Sequence, residues 1–277
     1  MNPPEPRAAN PVRAFFALPN DSRTKTLGIT LLVCLCCSVL VAWAAVALKP
    51  AQQRNQALEF QRNIVEVAGL LQDGGSVEAA LSRIEAQLIE LETGAVSTAF
   101  DPEQYNIEAA AKDPKRTTPL APADDPALIR LRPRFMPVYF VRSADGQSVQ
   151  AVILPVYGAG LWSRMYGFLA LEKDWDTVRG LKFYQQGETP GLGGEIDNPK
   201  WRALWQGKQV YDASGQPVIR LVKGHVEASA PDAAHQIDGL SGATLTGRGV
   251  EHLINYWMGP QGYGPLLQRL RQQQAQG

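Results

Sequence analysis

The sequence predicts an α+β protein: a single N-terminal transmembrane helix, then a domain in which an antiparallel β-sheet is flanked by helices. Three observations carry this. Leu27 to Leu48 is a run of 22 residues without a charge. At 1.5 Å per residue it reaches about 33 Å, enough to cross the hydrocarbon core of a bilayer. From Phe135 onward, apolar stretches rich in β-branched and aromatic residues alternate with turn residues. Near the end, Val250, Leu253, Ile254 and Trp257 fall on one side of a helix that runs to about Met258.

Taken in order, residues 1–26 are rich in Pro, Asn and Arg and read as a flexible tail. Ala42-Trp43-Ala44 and Ala45-Val46-Ala47 resemble small-residue cleavage sites. The apolar run is nevertheless longer than the roughly 7–15 residues of a signal core, which favours a retained anchor. Arg7, Arg13, Arg23 and Lys25 precede the run, and Lys49, Arg54 and Arg62 follow it. The imbalance leans toward a cytoplasmic N-terminus without settling the orientation. Cys34, Cys36 and Cys37, the only cysteines, all lie inside the run and read as small apolar side chains. Twenty-seven basic residues balance 27 acidic ones, so nothing suggests a nucleic-acid partner.

From Gln52 to Leu71, Leu58, Ile64, Val65, Val67, Leu70 and Leu71 form one apolar helical face, and Gly74-Gly75 breaks it. Ser76 reads as the cap of a second helix with Ala79, Leu81, Ile84, Leu88 and Leu91 as its buried stripe. Residues 95–133 show no clear period and read as a surface segment with one short helix near Glu103 to Ala111. Phe135–Ser143 and Val149–Tyr157 form a hairpin through Asp145-Gly146. Met165–Leu171 and Val178–Gln185 are two more strands. Asp197–Trp205 opens with a capped turn and a short helix. Gln209–Asp212 and Val218–Lys223 are strands around Ser214-Gly215. Gly259 ends the last long helix.

Two loops could carry chemistry. Asp238-Gly239-Leu240-Ser241-Gly242-Ala243-Thr244 sits between a strand and that helix. Gly242 and Ala243 lie between two hydroxyl side chains, and the glycine permits positive φ. The helix start presents free N–H groups and a positive dipole end, which suits a phosphate. Taken alone, the same residues describe an ordinary N-cap. Glu188-Thr189-Pro190-Gly191-Leu192-Gly193-Gly194-Glu195 is either a tight turn or a backbone that wraps a flat ligand, with Leu192 as an apolar lid. Its glycine spacing is neither a dinucleotide fingerprint nor a Walker loop. Trp162 in Gly158-Ala159-Gly160-Leu161-Trp162-Ser163 is either a core aromatic or a wall of that site. Lys223 either offsets phosphate charge or ends a solvated strand. His225, His235 and His252 are scattered, and no catalytic triad or metal-ligand spacing is present.

Read together, Asp238–Thr244 and Glu188–Glu195 closely resemble the C subunit of the sodium-translocating NADH:quinone reductase. Asn63–Leu71, Leu154–Gly158, Gly160–Phe168 and Asp197–Trp201 add to the resemblance, which runs from about residue 25 to about 267. The resemblance implies FMN joined to Thr244 through a phosphate ester by a separate flavin transferase that uses FAD and a divalent metal. It implies one inner-membrane span with the N-terminus cytoplasmic and an extracytoplasmic, periplasmic FMN domain. It implies an electron relay from NADH toward ubiquinone among other subunits of a sodium-pumping complex. The corresponding division is a tail to 26, a span over 27–48, a helical and surface region over 49–133, an FMN-binding domain over 134–267 and a flexible tail over 268–277. The expected cofactor contacts are Thr244, Ser241, Gly242, Ala243, Asp238, Glu188, Thr189, Gly191, Leu192, Gly193, Trp162 and Lys223, with no catalytic or metal residue. The flavin subunit of the related Rnf complex shares the S-G-A-T logic, but the helical region before residue 130 and Asp197–Trp201 favour the first family. A rival from another class is a membrane-anchored binding or assembly protein with no redox role.

Overall fold

The computed structural model describes residues 11–71 and 76–276; the Gly74-Gly75 break lies outside them. The chain divides into two units, Met1–Leu58 and Glu59–Gly277.

In the first unit, α1 (Pro11–Phe16) precedes the start of α2 (Arg23–Val67). The tail expected through residue 26 is therefore partly helical. The span and the helix expected from Gln52 are one continuous helix of 45 residues. Pro50 sits inside it, where it has no backbone N–H to give to the helical ladder. The apolar stretch is unburied by the protein and is long enough to cross a bilayer. Cys34, Cys36 and Cys37 are exposed on it.

The second unit is a six-stranded antiparallel sheet covered on both faces. Ser76 caps α3 (Val77–Leu81) by accepting from Ala79 N, as expected. The helix then stops, and β1 (Ile84–Glu90) begins. Ile84, Leu88 and Leu91 fit a helical stripe as well as a strand, and pairing with two neighbours decides for the strand. After β2 (Ala95–Ser97) come α4 (Ile107–Ala110), β3 (Thr117–Pro119) and β4 (Leu131–Pro133). The surface segment thus hides structure: Ile107, Ala127 and Ile129 are buried, and Asp125 accepts from Ile129 N and Arg130 N.

The four expected strands appear as β5 (Phe135–Arg142), β6 (Val149–Ala159), β7 (Arg164–Glu172) and β8 (Val178–Gln185). The sheet order is β2-β1-β5-β6-β7-β8. It draws strands from both sides of residue 133, so that position is no structural boundary. Next come α5 (Pro199–Ala203), β9 (Arg220–Val222) and β10 (Gln236–Asp238). The expected hairpin around Ser214-Gly215 shrinks to a bridge between Tyr211 and Pro217. β9 pairs instead with β10, in parallel. The chain ends with α6 (Thr244–Met258) and α7 (Gly264–Gln276). The expected flexible tail over 268–277 is helical to Gln276, because Leu266 and Leu267 are buried and Leu270 packs on the core.

Alternation along the central strands separates two cores. Val152, Leu154, Leu169 and Leu171 face Val250, Leu253, Ile254 and Trp257 of α6. Ala151, Ile153, Phe168 and Ala170 face Phe60, Ile64, Val67 and Ala68 at the end of α2. There Glu66 pairs with Lys182 and, at 2.9 Å, with Arg202. The last turns of α2 are thus a layer of the domain. A chain beginning at Glu59 is expected to fold, whereas one beginning at Leu70 loses several apolar side chains worth about 1.5–3 kcal/mol each on burial. That loss is comparable to a domain's whole stability of about 5–15 kcal/mol. Urea unfolding of both checks it; equal midpoints would contradict it.

Candidate functional site

The site lies where α6 begins. Its buried stripe presses on β6, and Trp257 Nε1 donates to Tyr157 O at 2.7 Å. This fixes the helix, and in its first turn Thr244 and Leu245 are exposed while Thr246 and Gly247 are buried. Gly242 has φ +71°, in the left-handed region expected of it. Ala243 occupies the N-cap and offers no side-chain cap. Alanine is a poor N-cap, so the first-turn N–H groups keep their capacity for another acceptor. Ser241 and Thr244 are exposed, and Ala243 is buried.

Thr244 borders a cleft of about 910 Å³, together with Ser241, Gly242, Arg220, Lys223, His225, Arg248 and Glu251. None of the salt bridges among the described residues uses Arg220, Lys223 or Arg248. The acid on the wall, Glu251, accepts from Leu221 N at 2.8 Å and so ties α6 to β9. A hydroxyl at a helix start, uncapped N–H groups and three cations fit an esterified phosphate.

Asp238 is not among the residues that line the cleft, but it holds one that is, His225. One carboxylate oxygen accepts from Val226 N at 2.8 Å, and the other meets His225 Nδ1 at 2.6 Å. Its carbonyl accepts from Trp201 Nε1 of α5 at 2.9 Å. Asp238 therefore holds the loop over residues 223–226 in place. Burial acts to raise its carboxyl pKa, but the bonds from His225 and Val226 outweigh it, so the group is held below the usual carboxylate value.

The expected cofactor contact Glu188 has a different task. It is buried, and its two oxygens take five hydrogen bonds, from Leu161 N, Trp162 N, Ser163 N, the Ser163 hydroxyl and the Thr246 hydroxyl. The Thr246 bond is 2.6 Å long. Glu188 thus clamps the 160–163 turn to the first turn of α6 and has no free lone pair to spend on a ligand. Burial pushes its carboxyl pKa up, yet the Thr246 hydroxyl and the three backbone N–H groups hold it below the ordinary 4.5.

Around this clamp the expected loops converge. A Cβ at Gly193 would sit 2.6 Å from Thr246 Oγ1, so only glycine lets the loop approach. Leu192 Cδ2 lies 3.0 Å from where a Cβ on Gly242 would stand. Thr189 and Gly191 are exposed, and Thr189 O accepts from Leu192 N and Gly194 N to close the turn. Lys223 is exposed on the cleft wall. Trp162 is 72% exposed, so it is a surface indole and not a core aromatic; Leu161, Leu192 and Leu245 are also left in solvent. Leu245 follows Thr244 in the chain, Leu192 reaches Gly242, and Leu161 and Trp162 belong to the turn that Glu188 ties to Thr246; exposed apolar side chains of this kind suit a flat aromatic ligand. Sequence reasoning misses Arg220 and the partner of Asp238, His225, because only folding brings them to this place; Thr246 and Arg248, on the first turns of α6, carry no pattern that separates them from ordinary helix residues.

Residues 160–259 match the model of an FMN-binding domain. The C subunit of the Na(+)-translocating NADH-quinone reductase of Pseudomonas aeruginosa is 50% identical over 259 residues, 92% of this chain and 98% of that protein. The protein of the same name from Yersinia pestis is 48% identical over 257 residues, 91% of this chain and 95% of that one. Among solved structures, NqrC of Shewanella oneidensis superposes with a TM-score of 0.73 at 33% identity, covering 79% of this chain and 99% of that chain. The C subunit of the Na(+)-translocating NADH-quinone reductase from Parabacteroides distasonis gives 0.59 at 25% identity, covering 79% of this chain and 96% of that one.

Proposed function

Because the chain belongs to the NqrC family, the C subunits of the Na(+)-translocating NADH-quinone reductase, we propose that its FMN is held by a phosphate ester to Thr244. The protein is an FMN-carrying electron-transfer subunit of a sodium-pumping NADH:quinone reductase complex. The observation that carries the Thr244 assignment is its exposed hydroxyl on an uncapped helix start, at the edge of a cleft with three cations.

Each group near the site has a task in this reading. The first-turn N–H groups, with Arg220, Lys223 and Arg248, hold the single negative charge left on an esterified phosphate. Leu192 and Trp162 flank the ring, with Ser241, Thr189, Gly191 and Gly193 shaping the backbone around it. Glu188 fixes the two loops, and Asp238 fixes the third. When bound, FMN supplies the redox chemistry, and the protein supplies position and electrostatics. Thr244 is an attachment point and not a nucleophile in turnover.

The anchor is a single inner-membrane span with a cytoplasmic N-terminus and a periplasmic FMN domain, centred on residues 134–267. A covalent tether keeps the cofactor from being lost in a compartment with no FMN pool to refill the site. The span has no charged residue, so it offers no ion path, and sodium crosses elsewhere in the complex. Attachment requires a flavin transferase with FAD and a divalent metal. The test is production of the chain with and without such a transferase, followed by fluorescence of the denatured protein in a gel. Fluorescence only with the transferase is expected; none in either case would overturn the covalent assignment.

A further inference from the structure

We propose that Asn255 is a positioning residue for the phosphate at Thr244: it grips the backbone next to Arg220 and so fixes that cation on the cleft wall. This rests on the Thr244 ester and adds to it a residue that does not itself line the cleft.

β9 has one paired edge, where Arg220, Leu221 and Val222 meet Gln236, Ile237 and Asp238 of β10. Its other edge pairs with no strand among the described residues. Side chains of α6 take that place, beginning at Ile219 just before the strand. Ile219 N donates to Asn255 Oδ1 at 3.0 Å, Asn255 Nδ2 donates to Ile219 O at 2.8 Å, and Leu221 N donates to Glu251 at 2.8 Å. Asn255 thus offers Ile219 both an acceptor and a donor, as a neighbouring strand would. Gly247, Glu251 and Asn255 stand at i, i+4 and i+8 and share one face of α6. A Cβ at Gly247 would lie 3.3 Å from Leu221 Cδ2, so β9 runs close along this face.

Arg220 stands between the two gripped residues. Its side chain is exposed and makes no salt bridge among the described residues, so the backbone is what places its guanidinium. The helix that grips this backbone also carries Thr244 in its first turn, so cation and hydroxyl belong to one braced unit. A charge is only as well aimed as the residues that hold it. Glu251 both grips β9 and puts a carboxylate on the cleft wall, so its loss changes two things at once. Asn255 is uncharged and off that wall, and acts only through the strand.

The experiment uses the full-length holoprotein in detergent, after a gel has shown covalent flavin fluorescence. Phosphorus NMR reads the ester phosphate in wild type, Arg220→Gln, Asn255→Leu and the double variant. The expected result is a shift of the resonance in Arg220→Gln, a shift the same way in Asn255→Leu, and no further shift when Asn255→Leu is added to Arg220→Gln. A resonance that either single variant leaves unmoved, or shifts that add in the double variant, overturns the inference. A merely structural asparagine would lower the unfolding temperature and leave the phosphate signal alone. Should Asn255→Leu not fold, Asn255→Asp keeps the acceptor for Ile219 N and is read by the same criteria. Absence of covalent flavin from folded wild-type protein made with the transferase fails the Thr244 reading instead.

Discussion

Thr244→Ala is expected to give a folded protein with no covalent flavin, and a complex whose NADH:quinone reductase activity falls by orders of magnitude. Stability and function separate at this residue. Thr244 is exposed on the first turn of α6. Surface substitutions of this kind usually change stability by no more than about 0.5 kcal/mol. Alanine is also the better helix former, so thermal unfolding should not move. What disappears is the one hydroxyl at the helix start on the cleft edge, and with it the ester. Thr244→Ser keeps an oxygen there and is expected to keep some flavin. Denaturing-gel fluorescence and the unfolding midpoint are the two readouts. A Thr244→Ala protein that still fluoresces would move the attachment to another residue, with Ser241 and Thr246 the nearest hydroxyls in sequence.

Glu188→Ala should produce the opposite pattern, a large loss of stability followed by poor flavin loading. Its carboxylate gathers five hydrogen bonds from two separate segments. Hydrogen bonds to a charged group contribute about 1.5–3 kcal/mol each, and buried N–H groups left unpaired add a penalty. Relaxation and water entry recover part of this, so a net cost of about 2–4 kcal/mol is expected. Glu188→Gln is expected to fall between, because its amide nitrogen faces backbone donors and only one oxygen accepts. The pH dependence has a definite sign. The folded carboxyl titrates below its ordinary 4.5, so its stabilising contribution is present at neutral pH and is lost as pH falls through the folded value. The gap in unfolding free energy between wild type and Glu188→Gln should therefore narrow as the solution is acidified below 4.5. A gap that stays constant would mean that the charge on Glu188 contributes nothing.

What is legible in the sequence is whatever is encoded over a few neighbours. Asp145-Gly146 between two apolar runs specifies the hairpin, and Gly146 does take positive φ there. Val250, Leu253, Ile254 and Trp257 define the buried face of α6. β1 reads as helix because Ile84, Leu88 and Leu91 satisfy the 3.6 period, and only pairing with β5 distinguishes the two. The parallel pair β9–β10 has no local signature, since its strands meet across an intervening loop. In α7 a polar, Gln-rich surface masks Leu266, Leu267 and Leu270. The same division holds at the site. Gly242 and Thr244 are legible because turn and helix start are adjacent. The clamp is not, because Glu188 and Thr246 are 58 residues apart. Its place in a glycine-rich loop offers Glu188 to a ligand, whereas the fold commits its lone pairs to the protein. Arg220 and Arg248 join Lys223 only through folding.

The most direct measurement is the mass of the tryptic peptide Gly224–Arg248 from protein purified out of its own membranes. It should exceed that of the plain peptide by one FMN less one water, with fragmentation placing the added mass on Thr244. An unmodified peptide, or a modification on any other residue, would contradict the assignment on which the electron relay depends.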